Sequence, residues 1–155
     1  MNIFSLINQE RTIARKDAGS KKKVLEILSD TLAPFIPNHS REKIFEHLIA
    51  RERLGSTGLG SGVAIPHCRL HGLEAPLGAM LTLRQAVSFD SADNQDVDIL
   101  FCLVVPEDAD EKHLQILSGL AELFIDAELC AQLRDADDDT ELLNTLHHWQ
   151  QNAAA

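Results

Sequence analysis

No apolar run in this chain approaches the roughly 18 residues that a membrane-spanning helix needs, so membrane insertion is not expected. The opening stretch, Met1 to Ile7, is too short and too polar-flanked for a secretory signal. Cysteine is sparse: Cys68, Cys102 and Cys130 are odd in number and widely spaced, which argues against a disulfide framework and for reduced thiols in a cytoplasm. Positive charge is also short, with 14 Lys and Arg against 24 Asp and Glu and a net charge of −10, which disfavours nucleic-acid binding. Two further absences exclude chemistry. A nucleotide-binding phosphate loop would need lysine after the second glycine of its G-x-x-x-x-G-K pattern, but Ser61 follows Gly60. His67, Cys68 and His71 lie close together without the fourth ligand of a structural zinc site, and neighbours 67 and 68 on extended backbone point to opposite sides, so no metal is expected.

At 155 residues the chain is read as one domain able to bury a core without covalent staples, with no internal repeat or linker. Charge is unevenly placed. Arg11, Arg15, Lys16, Lys21, Lys22 and Lys23 cluster early, whereas residues 107–141 hold half of the acidic side chains, a block able to steer a basic protein partner.

The hydrophobic pattern predicts the elements in order. Residues 2–8 form a lead-in and residues 12–15 are a strand candidate. Ser20 caps a helix with Val24, Leu25, Ile27, Leu28 and Leu32 on one stripe, stopped by Pro34 and Pro37, with lysines 21–23 on its exposed first turn. Asn38 or Ser40 caps a second helix with Ile44, Phe45, Leu48 and Ile49 inward, ending near Gly55 with Arg51 in its last turn. Residues 62–65 read as a strand, as do 79–83 and 86–89, broken by Arg84-Gln85, with a turn at 91–95. The run at 97–105 is almost uninterruptedly apolar, as in a central strand covered on both faces. Asp108 or Asp110 then caps a helix with Leu114, Ile116, Leu117, Leu120, Leu123 and Phe124 inward and His113 one turn inside its start. A helix at 127–133 follows, and Asp137 to Thr140 cap a last one that carries Trp149 and frays at 153–155. The expected fold class is α/β, a single-domain sandwich with a mixed, mostly parallel central β-sheet flanked by helices on both faces.

The chemistry is expected at residues 55–68. Gly55, Gly58, Gly60 and Gly62 free the backbone to bring bare amides against a ligand, and Pro66 ends the strand at 62–65 and presents His67 at its mouth. A neutral imidazole held beside glycine amides is suited to nucleophilic attack on phosphorus. The phosphoryl oxygens would be held by amides, hydroxyls and the cation Arg51, with no base required. Ser56, Thr57 and Ser61 either donate to the anion or bond local backbone, and His113, near a helix N-terminus after a central strand, lies where α/β sheets collect anions.

The segment Arg51-Glu52-Arg53-Leu54-Gly55-Ser56-Thr57-Gly58-Leu59-Gly60-Ser61-Gly62-Val63-Ala64-Ile65-Pro66-His67, followed by Phe89 to Asp98, Leu103 to Pro106 and Lys112 to Leu117, resembles the mannitol/fructose-type enzyme IIA family of the bacterial phosphoenolpyruvate phosphotransferase system, and most closely its nitrogen-regulatory branch. The match in order and spacing covers residues 40–150. Ser56, Thr57, Gly60 and Ser61, in the glycine loop before His67, are the expected phosphate-binding residues, and the resemblance implies that His67 takes a phosphoryl group from an HPr-like histidine phosphocarrier protein and that His113 and Arg51 line the pocket. It further implies no cofactor, and a phosphorylation state that regulates target proteins in nitrogen- or potassium-type control. Two positions depart from the family pattern: Ser61 stands where asparagine is frequent, and Cys68 where a small residue is usual, which would admit oxidation beside the site. A chain with no following IIB or membrane domain favours the regulatory branch. The competing readings are a sugar-specific enzyme IIA passing phosphate to a IIB domain, and a non-catalytic anion-binding module in which His67 never reacts.

Overall fold

The computed structural model describes residues 2–154. Its centre is the apolar run, which forms β6 (Val97–Pro106). Alternation sorts the strand's side chains onto two cores: Ile99, Phe101 and Leu103 face one helical layer, and Leu100, Cys102 and Val104 face the other. Antiparallel to β6 lies β5 (Leu77–Val87), which carries β1 (Thr12–Lys16) parallel on its far side. The other edge of β6 is shared by β3 (Val63–Ala64) and β4 (His67–Leu70), both parallel to it, and β3 pairs antiparallel with β2 (Gly58–Gly60). The sheet is therefore mixed, as expected, with parallel pairings on both sides of the β5–β6 pair.

One face is covered by α1 (Lys21–Leu32) and α2 (Arg41–Leu54), whose Leu25, Leu28, Ile44 and Leu48 are fully or almost fully buried. Their N-caps are Ser20, accepting from the Lys23 amide, and Ser40, accepting from the Lys43 amide. The opposite face takes α3 (Glu111–Phe124), α4 (Ala127–Asp135) and α5 (Asp139–Ala154), capped by Asp110, Asp126 and Asp138 respectively. The expected fraying at 153–155 falls partly on Ala155, which lies outside the described residues.

Four local expectations are corrected. Arg84-Gln85 does not break β5; the pairing with β6 slips between Thr82 and Val87, and residues 84–86 are exposed within one continuous strand. His67 does not sit at the mouth of the 62–65 strand but opens β4. Pro66 interrupts the ladder only by its missing donor, while its carbonyl still accepts from the Leu103 amide at 2.9 Å. Lys21 is not a solvated first-turn lysine: its side chain is 18% exposed and its Nζ meets the buried Glu52 carboxylate at 2.9 Å. Leu114 does not point inward; it is 54% exposed because the first turn of α3 overhangs a cavity rather than the core.

Candidate functional site

Three elements converge on His67. The last turn of α2 brings Arg51, whose Nη1 donates to the Gly55 carbonyl at 2.9 Å and so ties the guanidinium to the chain's exit from the helix. Next, β4 lies against β6 and places His67 beside Leu103. The third element, α3, supplies His113 at its third helical position. Arg51, His67 and His113 line one cavity of about 560 Å³, walled mainly by Leu54, Val105 and Leu114. An adjoining cleft of about 340 Å³ shares Arg51 and His67 and adds Ser56, Thr57 and Leu59.

Hydrogen bonding decides the tautomers. His67 Nδ1 lies 2.8 Å from the Ile65 carbonyl oxygen, which can only accept, so Nδ1 carries the hydrogen and Nε2 holds the lone pair. His113 is the mirror case. Its Nδ1 accepts the Asp110 amide at 3.1 Å, closing a capping box with the Asp110 side chain, so a neutral His113 keeps its hydrogen on Nε2. Asp110 Oδ1 also lies 3.4 Å from that Nδ1, a contact that would favour a proton there. The shorter amide contact prevails, because Oδ1 is already engaged by the Lys112 amide at 3.0 Å. The cavity thus brings together one imidazole with a bare nitrogen, one whose outward nitrogen is a donor, and the Arg51 guanidinium, with His47 and Arg69 also in its lining.

Burial holds the His67 imidazole below the ordinary histidine value of 6.5; the Ile65 hydrogen bond opposes this, Arg51 adds to it and Glu52 opposes it. A folded value below the unfolded one means that the folded protein binds fewer protons in the interval between them. Stability from the neutral ring is then complete above 6.5 and is lost as pH falls through 6.5 towards the folded value. An NMR titration of His67 is expected to show its midpoint below 6.5, and thermal stability on the acid side is expected to fall less steeply in His67→Gln. A midpoint above 6.5 would show that the ring gains a proton partner rather than losing solvent.

The other expected phosphate ligands are placed less simply. Ser56 Oγ donates to the Phe89 carbonyl at 2.6 Å and accepts from the Gly58 amide at 3.0 Å, and the Thr57 hydroxyl donates to the Glu52 carboxylate. Both residues line the cleft with hydroxyls engaged locally. Gly60 and Ser61 lie apart, on the β2–β3 turn, where the Ser61 amide donates to Asp93 at 2.9 Å and its carbonyl accepts from Arg134 at 3.0 Å. Neither lines either cavity beside His67. Ser61 has φ +56°, a left-handed conformation that asparagine adopts more readily than serine. Cys68, the other unusual position, points into the α1–α2 core, and burial pushes its thiol up to about 12, so it holds almost no reactive thiolate.

Sequence reasoning missed two features. Leu54, Leu59 and Leu114 are 84%, 46% and 54% exposed and stand around the two clefts, where leucines outside the core form a contact surface. Helical periodicity could have flagged Leu54, which falls off the buried stripe of α2. Glu52 is buried behind the loop, and an acidic residue inside the motif was the available signal.

The layered arrangement is the fold of the phosphotransferase-system IIA domains. The chain belongs to the family described as phosphoenolpyruvate-dependent sugar phosphotransferase system, EIIA 2, whose model matches residues 5–149. It is 44% identical over 136 residues to a nitrogen regulatory protein of Pseudomonas aeruginosa, covering 88% of each chain. A nitrogen regulatory protein of Escherichia coli K12 is 40% identical over 144 residues, 92% of this chain and 87% of the relative. The crystal structure of nitrogen regulatory protein IIA-Ntr from Neisseria meningitidis superposes with a TM-score of 0.87 at 37% identity, covering 93% of this chain and 98% of that one. Among the described residues no helix is long and apolar enough to cross a membrane.

Proposed function

We propose that the protein is a regulatory phosphoryl carrier in which His67 Nε2 accepts a phosphoryl group from an HPr-like histidine phosphocarrier in the cytoplasm, and that its phosphorylation state controls partner proteins. The observation that carries this reading is the pair of opposed tautomers: a lone pair on His67 Nε2 in a cavity that also presents the Nε2–H of His113 and the guanidinium of Arg51. The Nε2 lone pair forms the new N–P bond while the P–N bond of the carrier breaks and its electron pair returns to the carrier's imidazole. Positive charge developing on the His67 ring strengthens the Nδ1–H bond to the Ile65 carbonyl, so no base is needed. Arg51 and His113 face the phosphoryl oxygens, and Leu54, Leu59 and Leu114 give the carrier an apolar rim to dock on.

Incubation with phosphoenolpyruvate, enzyme I and the carrier is expected to add one phosphoryl group, acid-labile and base-stable, that maps to His67. Without such labelling, the chain would be an anion-binding module. Rapid passage of the group to a fructose- or mannitol-type IIB domain would place it in the transport branch. Transfer from a purified, already phosphorylated carrier is expected to proceed unchanged in excess chelator, since the cavity supplies its own cations. A chelator-sensitive rate in that single step would contradict the charge assignment.

A further inference from the structure

Behind the cavity a run of contacts leads from the start of α1 to the imidazole of His67. Glu52, its side chain 2% exposed, receives Lys21 Nζ on Oε2 at 2.9 Å and the Thr57 amide on the same oxygen at 3.3 Å, while its Oε1 accepts the Thr57 hydroxyl. The Thr57 carbonyl accepts the Ile65 amide at 3.0 Å, and the Ile65 carbonyl accepts Nδ1–H of His67 at 2.8 Å. The first turn of α1, distant in sequence, therefore meets the last turn of α2 and the glycine-rich loop that follows it on one carboxylate. An ionised carboxylate only accepts, and so do both carbonyls, so each link has one polarity and the run ends by requiring a donor at Nδ1. Lys21 compensates the buried charge and is itself seated over the Phe89 ring at 4.6 Å.

We propose that Glu52 is a positioning residue for His67. Ionised and paired with Lys21, it latches the loop through Thr57 so that the Ile65 carbonyl meets the ring, fixes the Nδ1–H tautomer and leaves Nε2 bare. The functional consequence rests on the reading of His67 as phosphoryl acceptor, but the tautomer is observable without phosphate. The charged and titratable groups around His67 are His47, Arg51 and Glu52 from α2, Cys68 and Arg69 from β4 and His113 from α3, and Glu52 is the one joined to it by this run.

Glu52→Gln tests the assignment, because the amide keeps one oxygen for Lys21 and the Thr57 amide but turns an NH2 group, which only donates, toward the Thr57 hydroxyl and removes the charge that Lys21 pairs with. Nitrogen-15 spectra of the imidazole are expected to show a single Nδ1–H tautomer for neutral His67 in the native protein and a mixture in Glu52→Gln. Phosphoryl transfer should slow about two- to tenfold, the rate equivalent of one neutral hydrogen bond. Lys21→Met, which keeps the carboxylate but unpairs it, should shift the tautomer in the same sense, and Lys21→Arg should restore it. These variants also serve if Glu52→Gln does not fold. A single tautomer and native transfer rates in Glu52→Gln and Lys21→Met, whatever their melting temperatures, would reduce Glu52 to a tie between helices and overturn the proposal. A tautomer shift in a protein that never accepts phosphate would instead uphold the positioning role and overturn the carrier reading.

Discussion

Replacing His67 with alanine is expected to abolish phosphoryl acceptance while leaving the fold in place. The ring is half-buried at the first residue of β4, and its hydrogen bond goes to the Ile65 carbonyl, so truncation forfeits about 1 kcal/mol of net hydrogen bonding and opens no space in either core. The β4–β6 ladder does not depend on the side chain, since Leu103 donates to the Pro66 carbonyl. Chemically the loss is complete, because His113 cannot substitute: its Nδ1 is occupied by the Asp110 amide and its Nε2 carries the hydrogen. Intact mass after reconstitution with phosphoenolpyruvate, enzyme I and carrier should show no added phosphoryl group, alongside a native circular dichroism spectrum and a melting temperature lowered by only a few degrees. Labelling retained in His67→Ala would remove the nucleophile from this position.

Much of this fold was legible because its strongest signals are local. Ser20, Ser40 and Asp110 cap where a short polar side chain precedes an amphipathic stripe, and the 97–105 run announces a strand covered on both faces. What escaped were the elements that exist only through their partners. Residues 58–60 carry no period-2 apolar pattern, and the alternation at 67–70 has only two apolar positions, Cys68 and Leu70, so both stretches become strands by pairing with β3 and β6. Arg84-Gln85 read as a break because polarity was taken for a turn, although an exposed stretch between two paired positions of a strand is polar on both faces without ending the strand. Lys21 read as solvated because nothing in its sequence neighbourhood shows that Glu52 lies across the helix interface.

Legibility at the site divides in the same way. His67, Arg51 and His113 come together in one cavity, as the motif spacing and the strand-then-helix position of His113 led one to expect. Gly60 and Ser61 were grouped with the phosphate ligands by adjacency, but the chain reverses between β2 and β3 and turns them towards Asp93 and Arg134. Proximity in sequence predicts a shared site only where the backbone does not turn in between. Leu114 was read as an inward position, and Leu54 and Leu59 were assigned no role, because periodicity reports which face is apolar, not whether another element of the same chain covers it.

His113→Ala is expected to slow phosphoryl transfer about ten- to hundredfold, with acceptance still at His67. A charge-assisted hydrogen bond to a phosphoryl oxygen contributes roughly 1.5–3 kcal/mol, and that is the barrier change such a factor represents. Truncation also removes the acceptor for the Asp110 amide, so a slower rate could arise from a loosened start of α3. His113→Glu separates the two effects, since glutamate at the third helical position still accepts the cap amide but offers no donor to the cavity, whereas a glutamine would bring an N–H of its own. His113→Glu should therefore be at least as slow as His113→Ala while recovering helix stability. His71 provides the comparison: its side chain is 88% exposed, it faces Glu107 at 3.4 Å and it lies outside the cavity lining, so His71→Ala should transfer at close to the native rate. Quenched-flow transfer from the phosphorylated carrier measures all three variants under one condition. Full recovery in His113→Glu would make His113 a cap and nothing more, and a crippled His71→Ala would mean that the transferring group is held on the far side of β4.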